Sequence, residues 1–277
     1  MGKWYDKIFI GNPNKEDFST KDLPKTRTEQ FFDVIKLRFG GLITSNLVFA
    51  LFMIPLVVWT LYNLFLIQFA ETSETVNVSF IEILDMYLLI NVPLYTLMGP
   101  ATAGMYYCIR NWVWNRRATI GEHFWKEFKR SWKQSAFLNL FNSVLCYATF
   151  FWIRFLHLNA GEAAPYISVP LVCIVALYYM SSIYQYPQLV SYNLTVKQIM
   201  KNSIIYMCVQ LPRTLIAVIL YLALGILCLS FAQLFLAVAM SIGFGVVFLG
   251  NMILSDFLFD KYVNEPENRR KGMAPLK

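Results

Sequence analysis

Long apolar runs separated by short polar segments dominate the pattern of this chain. About 20 predominantly apolar residues are enough for a helix to cross the hydrocarbon core of a bilayer. Four runs reach this length: Leu42–Phe69, Ile83–Ile109, Ala136–Phe155 and Ile167–Val190. The run Thr214–Ser255 has no charged residue and about twice this length, so two helices are expected to meet in it near Leu229–Phe235. The pattern predicts an all-α fold, a polytopic membrane bundle of about six transmembrane helices over residues 42–258.

Basic residues lie almost entirely on one side of these predicted spans. If the spans alternate and the amino terminus is cytoplasmic, the inner segments are 1–41, 110–135, 191–213 and 256–277, and they hold 23 of the 24 Lys and Arg residues. Arg154 is the exception, near the outer end of the third span, where Asp85 or Glu162 is a candidate partner. This bias predicts that both termini are cytoplasmic. Residues 1–41 then form a cytoplasmic segment with an interfacial helix, and residues 259–277 form a cytoplasmic tail.

The composition agrees with a membrane protein and argues against several other classes of protein. Hydrophobic residues make up 57% of the chain and charged residues 15%, against roughly 25% charged in a typical soluble domain. Since the topology accounts for the net charge of +7, no nucleic-acid partner is predicted. The two histidines and five scattered cysteines have no metal-binding spacing, and the sequence contains no phosphate loop or nucleophile elbow. No enzymatic activity, cofactor or metal site is therefore expected.

A first amphipathic helix is predicted just before the first span. Thr26–Glu29 fits a capping box, in which a threonine and a glutamate satisfy each other's backbone N–H groups. Behind it, Phe31, Ile35, Phe39 and Leu42 recur at helical spacing. Such a stripe predicts a helix that lies in the inner membrane interface and leads into the first span.

The inner segment after the second span predicts another amphipathic helix, with a strongly basic surface. Its aromatic residues share one helical face: Phe124, Trp125, Phe128 and Trp132. Its cations cover the other sides: Lys126, Lys129, Arg130 and Lys133. This helix is expected to rest on the inner leaflet, with its aromatic rings in the interface and its cations near anionic headgroups. A cytoplasmic protein partner is the alternative occupant of the same cationic surface.

A short basic motif occurs twice, each time between two apolar runs. "FKRSWKQS" (128–135) and "VKQIMKNS" (196–203) share Lys-x-x-x-Lys, followed by Gln or Asn and then Ser. The second motif adds Lys197 and Lys201 as candidate lipid or partner contacts. Because each motif joins two spans into a hairpin that starts and ends outside, the sequence is compatible with a parallel repeat of two hairpins, as in some transporters.

The second span contains residues that weaken a membrane helix. They are Asn91, Pro93, Gly99 and Pro100. A Gly-Pro pair removes a backbone hydrogen bond, and small neighbouring residues let another helix approach, so a helix break is predicted here. The break is interpreted either as a packing kink or as part of a pathway for a small polar solute. Pro55 predicts a kink in the first span for the same reason.

Small and polar residues in other spans predict contacts between helices. Ala237, Ser241 and Gly245 recur at four-residue intervals in the last span and predict a tight helix–helix contact. Three asparagines need hydrogen-bond partners within the bundle: Asn139, Asn142 and Asn251. Interhelical hydrogen bonds are expected for them, with the lining of a pathway as the alternative.

Several of these segments resemble the YesL-like bacterial membrane proteins, a family of unknown function. "GPATAGMYYCIRN" followed by "FWKEFKRSWKQSAF" is similar to the family's central signature, in which a run of small residues leads into a Tyr-rich stretch and a Phe/Lys segment. "YPQLVSYNLTVKQIMKNSIIYMCVQLPRTL" resembles its second conserved stretch, and "LITSNLVFALFMIPLV" resembles its first span. The resemblance covers roughly residues 31–263, and it leaves the roles of residues 1–25 and of the outer loop 70–82 open.

The resemblance implies a function only indirectly, because the family has no established catalytic residues. Its members are often encoded beside carbohydrate-uptake ABC importers and polysaccharide-degrading enzymes. It therefore implies a multi-pass protein of the bacterial plasma membrane that acts as an auxiliary subunit of such an importer, with the permease subunits as partners. The alternative is a stand-alone channel or transporter for a small polar solute, with its pathway near the second span.

Overall fold

A computed structural model describes residues 26–72, 79–114, 116, 118–230 and 239–264. These residues are almost entirely helical, and no strand occurs among them. The α-helices are α1 (Arg27–Thr72), α2 (Phe80–Val113), α3 (Trp125–Arg130), α4 (Trp132–Asn159), α5 (Ala164–Ser182), α6 (Gln185–Ser191), α7 (Val196–Val209), α8 (Leu211–Ser230) and α9 (Phe244–Phe259). Short π-helical turns precede α3 (Ile120–Phe124) and α9 (Ala239–Gly243) and follow α9 (Asp260–Asn264), and a 3₁₀ turn (Gly161–Ala163) joins α4 to α5.

Five to six of these helical segments are long and apolar enough to cross a membrane. α1, α2, α4, the stretch of α5 and α6, and the stretch around α9 each qualify alone. A sixth candidate is formed by α7 and the apolar part of α8, which meet at a bend of 98°. The predicted all-α, multi-pass class is confirmed, and the predicted six spans are the upper value. The charge-free run divides into α8 and α9 as expected, and their junction at 231–238 lies outside the described residues.

The first helix begins as the sequence predicts, but it bends elsewhere. Thr26 Oγ1 accepts a hydrogen bond from the Glu29 backbone N–H at 3.2 Å, and the Glu29 carboxylate accepts one from the Thr26 N–H at 3.4 Å, which confirms the capping box. The helical path is interrupted at Arg38 (φ −120°, ψ 20°) and continues through Pro55. No interruption occurs at Pro55, where a kink was predicted. The interruption lies 17 residues earlier, between the interfacial part of α1 and its span. Phe39, which belongs to the predicted apolar stripe, is exposed, whereas Val34, which does not, is buried.

Helix α2 is the centre of the bundle, in contact with α1, α4, α6 and α9. Its second half is buried continuously from Met98 to Arg110, apart from the half-buried Tyr107. Large buried side chains from α1, α2 and α9 form the main core: Leu42, Met105, Ile109, Leu249 and Met252. A capping box of Ser79 and Glu82 starts α2. The outer faces of the surrounding helices are also apolar, and they are exposed. Such faces suit contact with lipid.

The helix break predicted at Gly99 and Pro100 is not present, because α2 is continuous from Phe80 to Val113. A Cβ atom added to Gly99 would lie 2.4 Å from the backbone oxygen of Ser135 and 2.9 Å from the backbone nitrogen of Ala136. The glycine therefore allows the backbones of α2 and α4 to approach each other closely. The small residues serve packing in an unbroken helix.

The segments predicted to be on the inner side lie together at one end of the bundle. Hydrogen bonds join them pairwise, from Gln30 to the Val113 carbonyl, from Arg130 to Asn193 and from Tyr192 to Asn264. At the opposite end, Arg154 Nη1 lies 3.1 Å from Asp85 Oδ2, which confirms one of its two predicted partners. The grouping of segments agrees with the predicted topology. The cytoplasmic orientation of the termini, the domain boundaries and the hairpin repeat stay predictions.

Candidate functional site

The basic segment of the first motif is built from a π-helical turn, α3 and the start of α4. Phe124 is completely buried, against the prediction that it lies in the membrane interface. It fits beneath α2 because Gly104 has no side chain, and a Cβ atom there would lie 2.9 Å from the Phe124 carbonyl oxygen. Phe128 is half-buried and packs on Phe52 of α1, with ring centroids 5.3 Å apart. The segment is therefore anchored in the protein core, and only the two tryptophans of its aromatic face are exposed.

A buried carboxylate fixes the junction between α3 and α4. Glu127 is only 1% exposed, accepts a hydrogen bond from the Ser131 hydroxyl, and lies 3.5 Å from Arg130 Nη1. The other end of the Arg130 guanidinium donates a hydrogen bond to Asn193 Oδ1 at 2.9 Å. Nothing in the spacing of the sequence indicated that Glu127 would be internal. Its effect is to orient Arg130 across the space between α3 and the connection from α6 to α7.

A groove of about 800 Å³ lies at this position, which we call the basic groove. One wall is formed by the junction of α3 and α4, and the other by the end of α6 and the segment that enters α7. Its lining residues are Phe128, Lys129, Arg130, Ser131, Trp132, Lys133, Gln134, Leu189, Tyr192, Asn193, Leu194 and Thr195. Three of them are cationic and none is acidic, so the groove has a positive potential. Gln134 Nε2 also donates to the Leu194 carbonyl at 3.3 Å, which joins the two walls.

The structure separates the predicted cationic residues into two groups. Lys129, Arg130 and Lys133 line the basic groove, whereas Lys126 is exposed on α3 and is not part of its lining. Lys197 and Lys201 are exposed on α7 and also lie outside the groove lining. The second motif instead contributes its capping residue: Thr195 forms a capping box with Gln198 at the start of α7.

A second cavity, of about 320 Å³, lies among the membrane-spanning helices and contains Asn91. We call it the central cavity, and it is lined by Leu56, Tyr87, Leu88, Asn91, Tyr95, Asn142, Ser143, Cys146 and Tyr179. The Asn91 side-chain oxygen is buried and has no hydrogen-bond partner among the described residues. The other three residues predicted with Asn91 do not line this cavity. The cavity wall therefore includes a residue with one unsatisfied acceptor.

The remaining asparagines within the bundle form hydrogen bonds between helices, as expected. Asn139 donates to the Tyr95 carbonyl at 2.9 Å and accepts from the Tyr186 hydroxyl at 2.6 Å. Asn142 and Asn251 each donate to a side chain of another helix, Gln185 at 3.2 Å and Tyr106 at 3.0 Å respectively. These bonds connect α2 and α4 to their neighbours, and of the three residues only Asn142 also lines the central cavity.

Of the three small residues predicted to form a helix contact in the last span, only Gly245 is seen to do so. Ala237 lies outside the described residues, and Ser241 is exposed. The backbone N–H of Gly245 donates to Asn46 Oδ1 of α1 at 2.9 Å, and a Cβ atom on this glycine would be 3.4 Å from the Met105 methyl group. Gly245 thus lies where α9, α1 and α2 meet.

Both cavities offer groups that can bind a ligand. Across the described ranges, no group of three His, Cys, Asp or Glu residues is placed to hold a metal ion. The basic groove offers cations and amides to an anionic group, and the central cavity offers hydroxyls and an amide oxygen to a neutral polar group.

Comparison with known proteins gives one family match. The family model described as "Protein of unknown function, DUF624" matches residues 42–151, from the first predicted span to the third. This is the family of the YesL-like proteins, so the resemblance is confirmed over these residues. No curated protein and no solved structure matches the chain.

Proposed function

We propose that this chain, whose residues 42–151 match the DUF624 family model, is an auxiliary, non-enzymatic subunit of a bacterial carbohydrate ABC importer. In this proposal it resides in the plasma membrane and holds the permease subunits through its basic groove. The observation that supports the proposal is a large cationic groove in a chain that resembles proteins encoded beside such importers.

The groove contains charge that the protein itself leaves uncompensated. Arg130 is paired with Glu127, but none of the ion pairs among the described residues includes Lys129 or Lys133. An acidic segment of a partner would supply the missing charge, which favours rapid association and a defined orientation. The positive-inside bias predicts that this end of the bundle is cytoplasmic, where the cytoplasmic segments of a permease would be within reach.

The remaining lining of the groove favours a peptide as its occupant. Gln134, Asn193 and Thr195 offer amides and a hydroxyl, and Trp132 offers an exposed aromatic surface. Aromatic and cationic residues of this kind are enriched in the parts of protein interfaces that contribute most to affinity. A flat layer of headgroups needs only cations near the membrane surface, and Lys126, Lys197 and Lys201 already provide those.

Affinity purification from native membranes tests the proposal. The unmodified chain is expected to recover importer permease subunits, and the double variant Lys129→Glu/Lys133→Glu is expected to lose them. The matched control is Lys197→Glu/Lys201→Glu, which makes the same charge change outside the groove. Recovery of no permease and no solute-binding protein by the unmodified chain would refute the proposal, and equal loss in both variants would show that net charge, not the groove, is responsible.

A stand-alone channel or transporter is the second candidate, supported by the central cavity. Its buried, unpaired Asn91 oxygen lies deep in the bundle, where solute sites of transporters occur. Reconstituted vesicles are expected to take up a small polar solute, and Asn91→Leu is expected to reduce that uptake. An absence of flux for every sugar and ion tested would argue against this function.

A further inference from the structure

A third cavity lies at the same end of the bundle as the basic groove but on a different side of it. It has a volume of about 390 Å³ and lies between the first turns of α1, the start of α8 and the last turns of α9. Its lining residues are Arg27, Thr28, Phe31, Phe32, Arg213, Gly250, Ile253, Leu254 and Phe257. Apart from two arginines and a threonine, the wall is hydrocarbon, aromatic ring or glycine. We call it the arginine cleft.

The two arginines of the cleft differ in how their charge is used. Arg27 donates to Asp256 Oδ2 at 2.7 Å and also pairs with Asp260, so its charge is compensated. Arg213 is exposed, lies over the Phe257 ring at 4.2 Å from its centroid, and takes part in none of the ion pairs formed by the described residues. The cleft therefore has one uncompensated guanidinium group, positioned by an aromatic ring. A guanidinium group in this state is suited to bidentate binding of a phosphate.

The level of the cleft along the bundle indicates which phosphate compounds can reach it. α8 begins at Leu211 and α9 ends at Phe259, so the cleft lies where two candidate spans enter the bilayer. Headgroup phosphates occupy this level, and acyl chains begin just below it. Gly250 opens the lower part of the cleft, because a Cβ atom added there would meet nothing within 4 Å. An open, largely apolar cleft below an unpaired cation matches the polarity of a phospholipid.

We infer that the arginine cleft binds an anionic glycerophospholipid, with its phosphate on Arg213 and an acyl chain along Phe32, Gly250 and Leu254. A net negative headgroup is favoured over a zwitterionic one because none of the described lining residues is acidic, so none attracts a choline or ethanolamine group. The bound lipid would join α1, α8 and α9, and among the described residues α8 has few contacts with other helices. This site is independent of the basic groove and of the importer proposal.

Native mass spectrometry of the full chain tests the headgroup contact. In detergent with added phosphatidylglycerol, one lipid is expected to stay bound at collision energies that remove phosphatidylcholine. Arg213→Gln is expected to weaken phosphatidylglycerol binding by about tenfold or more, since a hydrogen bond to a charged group contributes this much. Lys201→Gln removes an exposed cation of α7 outside the cleft and is expected to bind as the unmodified chain does. Equal binding of both lipids, or equal effects of both variants, would overturn the inference.

A second pair of variants tests the acyl-chain contact. Gly250→Leu fills the open space in α9, and because leucine is the better helix former, the lipid-free protein is expected to be at least as stable as before. The same variant is expected to abolish the rise in melting temperature that phosphatidylglycerol gives the unmodified chain. Gly40→Leu is the control, since its Cβ also meets open space but lies outside the cleft. If free glycerol phosphate raises the melting temperature as much as the lipid does, the acyl-chain contact is refuted.

Discussion

The close approach of α2 and α4 at Gly99 predicts a large effect for the smallest available substitution, Gly99→Ala. The added methyl carbon would lie 2.4 Å from the Ser135 carbonyl oxygen, and ordinary contact begins at 3.4 Å, so the two helices must separate by about 1 Å. The neighbouring atoms belong to the backbone and cannot rotate away. Overpacking of this kind costs about 1–3 kcal/mol. We expect the free energy of unfolding to fall by this amount.

Unfolding in mixed micelles, with increasing fractions of a denaturing detergent, measures this change. Gly40→Ala is the matched control, because a Cβ atom at Gly40 meets nothing within 4 Å. The control is expected to be unchanged or stabilised by less than about 1 kcal/mol, the difference in helix propensity between glycine and alanine. If Gly99→Ala is as stable as Gly40→Ala, the helices are not in contact there and the reasoning fails.

Three further predictions concern the two ends of the bundle. Asp256→Asn removes a carboxylate that is 5% exposed and binds both Arg27 and the indole N–H of Trp114. The free energy of unfolding is expected to fall by about 1–3 kcal/mol in the same assay, and a loss below about 0.5 kcal/mol would contradict these contacts. The pair of Arg154 and Asp85 is about one-third exposed on each side, so a double-mutant cycle is expected to give a coupling energy below about 1 kcal/mol, and a larger value would show that water is excluded there. In a cysteine-free background, Lys133→Cys is expected to react with a membrane-impermeant thiol reagent only after the cells are opened. Glu82→Cys is expected to react in intact cells, and the reverse pattern would contradict the predicted topology.

The sequence was sufficient to predict those features that depend on composition and on short-range spacing. Apolar runs predicted the membrane helices because the bilayer requires about 20 such residues per span. An acidic partner for Arg154 was expected from the cost of an isolated charge near the membrane, with Asp85 and Glu162 as the alternatives, and the structure shows Asp85. The hydrogen bonds of Asn139, Asn142 and Asn251 followed from the cost of an unpaired amide in an apolar bundle.

The arrangement of the inner segments depends on which distant residues meet, and the sequence did not predict that arrangement. The basic groove exists because Arg130 and Gln134 meet Asn193 and Leu194, about sixty positions further along the chain, and no local spacing reports this. The same reason explains the burial of Phe124, whose place was decided by Gly104 on another helix. An amphipathic pattern alone does not distinguish an aromatic face that meets lipid from one that meets protein.

The predicted break in α2 was wrong for a different physical reason. Proline weakens a helix in water, but in a membrane-spanning helix the surrounding helices, hydroxyl side chains and small backbone adjustments satisfy the freed carbonyl groups. The carbonyl freed by Pro100 is that of Thr96. On either side of Gly99 and Pro100, the hydroxyls of Thr96 and Thr102 add hydrogen bonds within α2, to the Val92 carbonyl at 2.7 Å and to the Met98 carbonyl at 3.0 Å. Close packing of Gly99 on α4 then holds the helix in one piece.

Site-specific photo-crosslinking in living cells examines whether the basic groove holds a protein. A photoreactive amino acid at Trp132, which lines the groove and is 43% exposed, reports whatever occupies it. The same amino acid at Lys201, exposed outside the groove, reports general contacts of the inner surface. Our account predicts a discrete cross-linked product at position 132 that contains an importer permease subunit and is absent at position 201. Cross-links to lipid alone at both positions would contradict it.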